Sequence, residues 1–158
     1  MILCEPWILR EPILYLSLFL KIRRDDYYRL LQEVWRAGTW ETWIEFFLTG
    51  VAETAEQAVA TARELIAMFD EHRRKIAELG RAAPSVLRVR ELMQVSPIVT
   101  IQTVSEKLAI SFPTAGTALE NLAAIGIVRE TTGRRRGRIY AYSAYLTLLD
   151  RGTDSLPT

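Results

Sequence analysis

Residues 133–137 read GRRRG and stand between two short runs rich in β-formers, IVRET at 127–131 and RIYAY at 138–142. Glycine adopts the left-handed backbone a tight connection needs, so two such runs joined by a glycine-bracketed turn form a hairpin. The segment upstream carries helix signals at short spacing. TVSE at 103–106 has the form of a capping box and opens a short helix that runs to residue 109. Residues 110–112 make a tight turn. Pro113 suits a first helical turn and Gly126 a C-terminal stop, so a second helix covers 113–125. A chain with this order of short helix, turn, helix and basic hairpin has few ways to bury its apolar positions.

The rest of the sequence is helical in pattern. Residues 84–95 place Val86, Val89, Leu92 and Met93 on one face, and Ser96-Pro97 ends that helix. Residues 98–101 are β-prone, 144–149 form a last short helix, and 152–158 fray. In the first half, residues 12–22 (PILYLSLFLKI) are apolar nearly all round, as in a helix buried on every side. Asp25 and Asp26 cap a helix over 27–37 that stops at Gly38, and Thr39 caps another over 40–48. TAEQ at 54–57 has capping-box form and starts a longer helix. Its apolar or small positions Val51, Ala55, Ala58, Ala62, Leu65, Phe69, Ile76 and Leu79 recur in steps of three and four, with His72 in the one gap, and Gly80 closes it. Such a seam packs inside a domain or against a second copy. The predicted fold is mainly α: a helical bundle fragment over 1–82, followed over 83–158 by a winged helix-turn-helix domain with a small β hairpin.

Charge distinguishes the two halves. Residues 1–83 hold 11 Lys and Arg against 13 Asp and Glu, a net of −2, whereas residues 84–158 hold 9 against 6, a net of +3. The total of +1 hides this, and a local basic cluster is what a polyanion meets. One cysteine, Cys4, excludes an intramolecular disulfide framework and points to a reducing compartment. The longest apolar stretch, 12–20, is short of the about 20 residues that span a bilayer, and the first residues lack the order of a signal peptide. The expectation is a cytoplasmic protein with no membrane partner.

A helix-turn-helix with a basic hairpin points to double-stranded DNA, because the second helix enters the major groove by its N-terminal part. On the helix over 113–125, Ala115, Ala118, Leu119 and Leu122 face the core. Ser111, Thr114 and Thr117 offer hydroxyls to phosphates or base edges, and Asn121 suits adenine. Arg134, Arg135, Arg136 and Arg138 suit phosphates or the minor groove. Four phosphate contacts give log affinity a slope of about −3.6 against log salt, at about −0.9 each. The outward face of the helix has no Arg or Lys and carries Glu120, so base readout is weak and the hairpin supplies much of the affinity. No phosphate-cradling glycine loop, nucleophile elbow or carboxylate pair is present, and His72 is the single histidine, so no catalytic, metal or cofactor site is expected. The aromatic residues Tyr27, Tyr28, Trp35, Trp40, Trp43, Phe46 and Phe47 are spaced as core.

Three strings in the first half, EPILYLSLFLK at 11–21, DYYRLLQ at 26–32 and GTWETWIEFFLTGV at 38–51, resemble the C-terminal helices of Fic (filamentation induced by cAMP) family proteins. SFPTAGTALENL at 111–122, with Gly126-Ile-Val128, is similar to the winged helix often fused behind that domain. The resemblance implies a family that transfers AMP from ATP to protein hydroxyls through an HPFxxGNGR-type loop. That loop is absent here and His72 lies elsewhere, so no catalytic residue carries over. The resemblance thus implies a C-terminal remainder of such a protein, not itself an enzyme. Ala115-Gly116-Thr117 also departs from the pattern, which favours a larger residue followed by Ser-Arg. Two other roles stay open: a protein-interaction module dimerising through the 51–79 or the 12–22 helix, and a fragment of a full-length adenylyltransferase.

Overall fold

Seven α-helices and three short strands occupy residues 16–150, the part of the chain described by the computed structural model. Cys4, the first four residues of the 12–22 helix and the 152–158 tail lie outside the described residues. The fold is mainly helical with one three-stranded antiparallel sheet. The chain divides into two compact units at Arg63 and Glu64.

The first unit contains α1 (Leu16–Ile22), α2 (Arg24–Ala37) and the N-terminal part of α3 (Trp40–Ala77). Asp25 and Asp26 do not cap α2. The cap position is Arg23, with no side-chain capping bond, and the two acids lie in the first turn, where they meet the positive end of the helix dipole. Gly38 ends α2 at φ 68, and its N–H donates to the Val34 carbonyl. The expected break between 48 and 54 is absent, because α3 is one helix of 38 residues. Gly50 sits inside it for a steric reason: a Cβ there would stand 2.5 Å from Cε1 of the Phe19 ring. Thr54 caps nothing; its hydroxyl donates back to the Gly50 carbonyl at 2.6 Å, a bond open to a threonine within a helix. Phe19, Leu30 and Val34 are buried. The Phe19 ring lies 5.4 Å from the Phe46 ring, and the Arg23 guanidinium stands over it at 4.6 Å while pairing with Glu53 at 3.1 Å. Two expectations fail here. α1 is not enclosed, since Ile22 is exposed, and the aromatic residues are not all core: Trp35 is 91% exposed, and Tyr28 and Trp40 are exposed too. Few helices make a small interior, and these side chains lie outside the one that the described residues form.

The second unit runs Glu64–Leu149. After α3 and a 3₁₀ turn at Gly80–Ala82 come α4 (Ala83–Val95), β1 (Ile98–Thr100), α5 (Ile101–Leu108), α6 (Phe112–Ala124), β2 (Arg129–Glu130), β3 (Ile139–Ala141) and α7 (Ser143–Asp150). The end of α3 belongs to this unit because Ile76 is fully buried in its core, with Met68, Phe69 and Leu79 packed around. β3 is the central strand. It pairs with β1 through Val99↔Tyr140 and with β2 through Glu130↔Tyr140. The β-prone run before α5 is therefore a third strand added to the hairpin. The helix that follows starts earlier than the TVSE string suggested. Thr100 is its cap and accepts from the Thr103 N–H at 3.1 Å, because Ile101 and Val104 must both point inward and that phase opens the helix at 101. Among the described residues no helix is long and apolar enough to cross a membrane.

Two buried polar groups lie in this core. Arg90 is 1% exposed on α4; its guanidinium sits 5.0 Å from the Phe69 ring centre and donates to the Phe69 carbonyl at 2.8 Å. His72 is also buried, with Nδ1 2.6 Å from the Tyr142 hydroxyl. Burial raises the Tyr142 hydroxyl above the usual tyrosine range, against the nearby charge of Arg90, so the hydroxyl keeps its proton and can donate it to Nδ1 of a neutral imidazole. Burial holds His72 below the ordinary histidine range; Lys75 and Arg90 push the same way and Glu71 opposes them. The unfolded chain therefore takes up this proton first as pH falls. Stability present above about pH 6.5 drains away below it, by at most about 1.4 kcal/mol per pH unit. The melting temperature is expected to fall between pH 7.5 and pH 5.0, and to fall less in His72→Gln. Equal falls in the two proteins would refute a role for this imidazole.

Candidate nucleic-acid interface

The turn between α5 and α6 is built by local bonds. Ala109 takes the left-handed conformation at φ 50, Ser105 Oγ donates to the Ile110 carbonyl at 2.7 Å, and Arg88 donates to the Leu108 carbonyl at 2.9 Å. Ser111 then caps α6. Its Oγ accepts from the Thr114 N–H at 3.3 Å and stands 2.7 Å from the Thr114 hydroxyl. Both side chains are exposed, so these hydroxyls hold each other at the helix start while facing water. Pro113 occupies the first turn, as its missing N–H allows.

The periodicity of α6 divides it cleanly. Ala115, Ala118, Leu119 and Leu122 are buried, Thr117 and Glu120 are exposed, and Asn121 is half-buried. Gly116 looks toward Ile101, whose nearest carbon would lie 3.7 Å from an added Cβ, an ordinary contact. Its backbone is helical, so glycine here costs chain entropy without serving a steric need. Gly116→Ala is expected to raise stability by about 0.5–1 kcal/mol, read as a higher urea midpoint at unchanged slope. A lower midpoint would show that the α5–α6 contact has no room for a methyl group.

The hairpin turn is organised by one carboxylate. Glu130 accepts from the Thr132 N–H at 2.7 Å, from the Thr132 hydroxyl, and from the Gly133 N–H at 3.1 Å. The bonds from Thr132 lead in holding its carboxyl below the usual range; Gly133 and the charge of Arg138 add to them. Gly133 and Gly137 take φ 61 and φ 67, where a side chain would strain the backbone. Between them Arg134, Arg135 and Arg136 are exposed, and among the described residues none of the three has an ion-pair partner. Arg138 differs. Its Nη2 donates to Glu120 Oε1 on α6 at 3.0 Å, which ties the base of the hairpin to the polar face of that helix. Glu130, Gly133, Arg134, Arg135 and Arg138 line an open depression beside this tie.

The structure thus brings the helix-borne and hairpin-borne candidates to adjoining surfaces of one unit. Two groups escaped the sequence reading. Glu130 gives no pattern signal, because its partners are backbone groups of a turn. Arg90 falls on the inward phase of α4, where an arginine reads as surface. Among the described residues no three His, Cys, Asp or Glu side chains gather as a metal ion would need. No family model matches the chain.

Proposed function

We propose that residues 83–158 form a winged helix-turn-helix that binds double-stranded DNA, with α6 in the major groove and the hairpin along the phosphates. The observation that carries this reading is the set of three unpaired, exposed arginines, Arg134–Arg136, on a hairpin tied to the exposed hydroxyl face of α6. Ser111, Thr114, Thr117 and Asn121 lie on α6 or at its cap, where they fit phosphate or base-edge contacts. With no base on that face and Glu120 on it, affinity comes chiefly from phosphates and sequence discrimination is modest. The first helices are proposed to correspond to those behind the AMP-transferring loop of Fic proteins, and the chain to lack that activity: incubated with labelled ATP, it labels no protein. Duplex binding is tested by gel retardation across a salt series. Affinity should fall steeply with salt; a salt-independent affinity, or none at low salt, would overturn the reading.

A second reading, self-association, rests on other residues. Ile44, Leu48 and Val59 are exposed along one side of α3, at separations close to whole helical turns, and Trp35 on α2 is exposed as well. A second copy of this chain fits that face by charge. Residues 40–62 carry Glu41, Glu45 and Glu56 beside the Arg23-paired Glu53 and no base, whereas α1 and α2 offer Lys21, Arg24 and Arg36. Sedimentation equilibrium should show a dimer that Leu48→Glu dissociates; a monomer at tens of micromolar would exclude it.

A further inference from the structure

The four arginines of the hairpin are not equivalent. Arg134, Arg135 and Arg136 face water without a partner, but the Arg138 guanidinium is half-buried and lies 3.0 Å from the Glu120 carboxylate. A second carboxylate, Glu130, stands close enough to feel the Arg138 charge. Glu130 lies opposite Tyr140, the buried centre of the sheet, and Arg138 lies two residues before it on the same strand side of the hairpin. An arginine already neutralised in this way has little to offer a phosphate. Reaching one would break an ion pair for each DNA counterion released, and it would leave the Glu120 carboxylate uncompensated on the face that meets a polyanion.

We infer that Arg138 is a clasp and not a phosphate contact: Glu120 holds its guanidinium against α6, and the hairpin meets DNA with Arg134, Arg135 and Arg136 alone. This deepens the DNA-binding reading and rests on it. Glu120 then has two effects. It fixes the hairpin beside the helix, and it withholds one of four positive charges, which keeps nonspecific affinity down.

The two effects separate in the salt dependence of binding to one duplex. Three contacts give a slope of about −2.7 in log affinity against log salt, and four give about −3.6. The full chain should show about −2.7, and Arg138→Ala should leave that value in place. Glu120→Gln removes the captor's charge and should steepen the slope to about −3.6. Arg138→Ala introduced into Glu120→Gln should return it to about −2.7. The Glu120→Gln variant alone also loses a repulsion, so the deciding quantity is the change made by Arg138→Ala in each background. A wild-type slope near −3.6 that drops by about 0.9 on Arg138→Ala alone overturns the inference while leaving DNA binding intact. Equal effects of Arg138→Ala in the two backgrounds overturn it as well. Absence of binding by both the wild type and Glu120→Gln overturns the DNA-binding reading and this inference together. Glu120 is exposed, and circular dichroism should show both variants folded; if Gln perturbs the helix, Glu120→Ala provides the same cycle.

Discussion

Replacing Arg134, Arg135 and Arg136 together by alanine is expected to lower duplex affinity more than about 100-fold at 0.1 M salt and to flatten the salt dependence almost completely. The size follows from counterion release. Each arginine on a phosphate contributes about −0.9 to the slope, so three account for a factor of about 500 between 1 M and 0.1 M salt. A single Arg135→Ala change should cost about eight-fold by the same arithmetic. Folding should be untouched, since the three side chains are exposed and make no ion pair among the described residues. The lysine triple variant separates charge from geometry: it should keep the slope, because a lysine releases a counterion as an arginine does. If the alanine variant binds as the parent does, the hairpin is a solvated turn and the basic cluster has no part in DNA contact. If the lysine variant loses affinity as far as the alanine variant, then planar hydrogen bonding, not charge, is what the hairpin supplies.

The largest effect on stability is expected at Arg90. The side chain fills core volume between α4 and the Phe69 ring and donates to the Phe69 carbonyl, yet its Nε has no partner and no carboxylate pairs with it. Arg90→Ala removes that volume and should cost about 2–5 kcal/mol. For a unit of this size a loss of ~3 kcal/mol lowers the melting temperature by about 12–24 °C. Arg90→Met keeps the long side chain and removes a buried charge that has no counter-ion, so it should stay within about 1.5 kcal/mol of the parent. A methionine variant as unstable as the alanine one would show that the guanidinium's bond to the Phe69 carbonyl and its place beside the Phe69 ring, rather than the packing, hold this part of the core.

Local rules read from the sequence survived where the deciding interaction was local. The four inward residues of α6, the stop at Gly38, the Ser96-Pro97 break and the glycine-bracketed hairpin all depend on backbone preferences and on apolar period within a few residues. Caps fared worse. TVSE at 103–106 and TAEQ at 54–57 both have the capping pattern, but Thr100 caps α5 and Thr54 lies inside α3. A capping box states what a helix start can do, and the phase of buried residues decides whether it starts there.

What the chain alone determined is the order of its elements from α4 to α7, the two-sided character of α6 and the concentration of positive charge between two glycines. Tertiary structure decided the rest: that Ile98–Thr100 joins β3 as a third strand, that Phe19 fills the space beside Gly50 within α3, that Arg90 and His72 are interior, and that Arg138 meets Glu120. Each of these contacts joins residues 18 to 70 positions apart, or follows from such a contact. A periodicity of two or 3.6 residues carries no information about such partners, because packing is set by which faces meet and not by how each face is made.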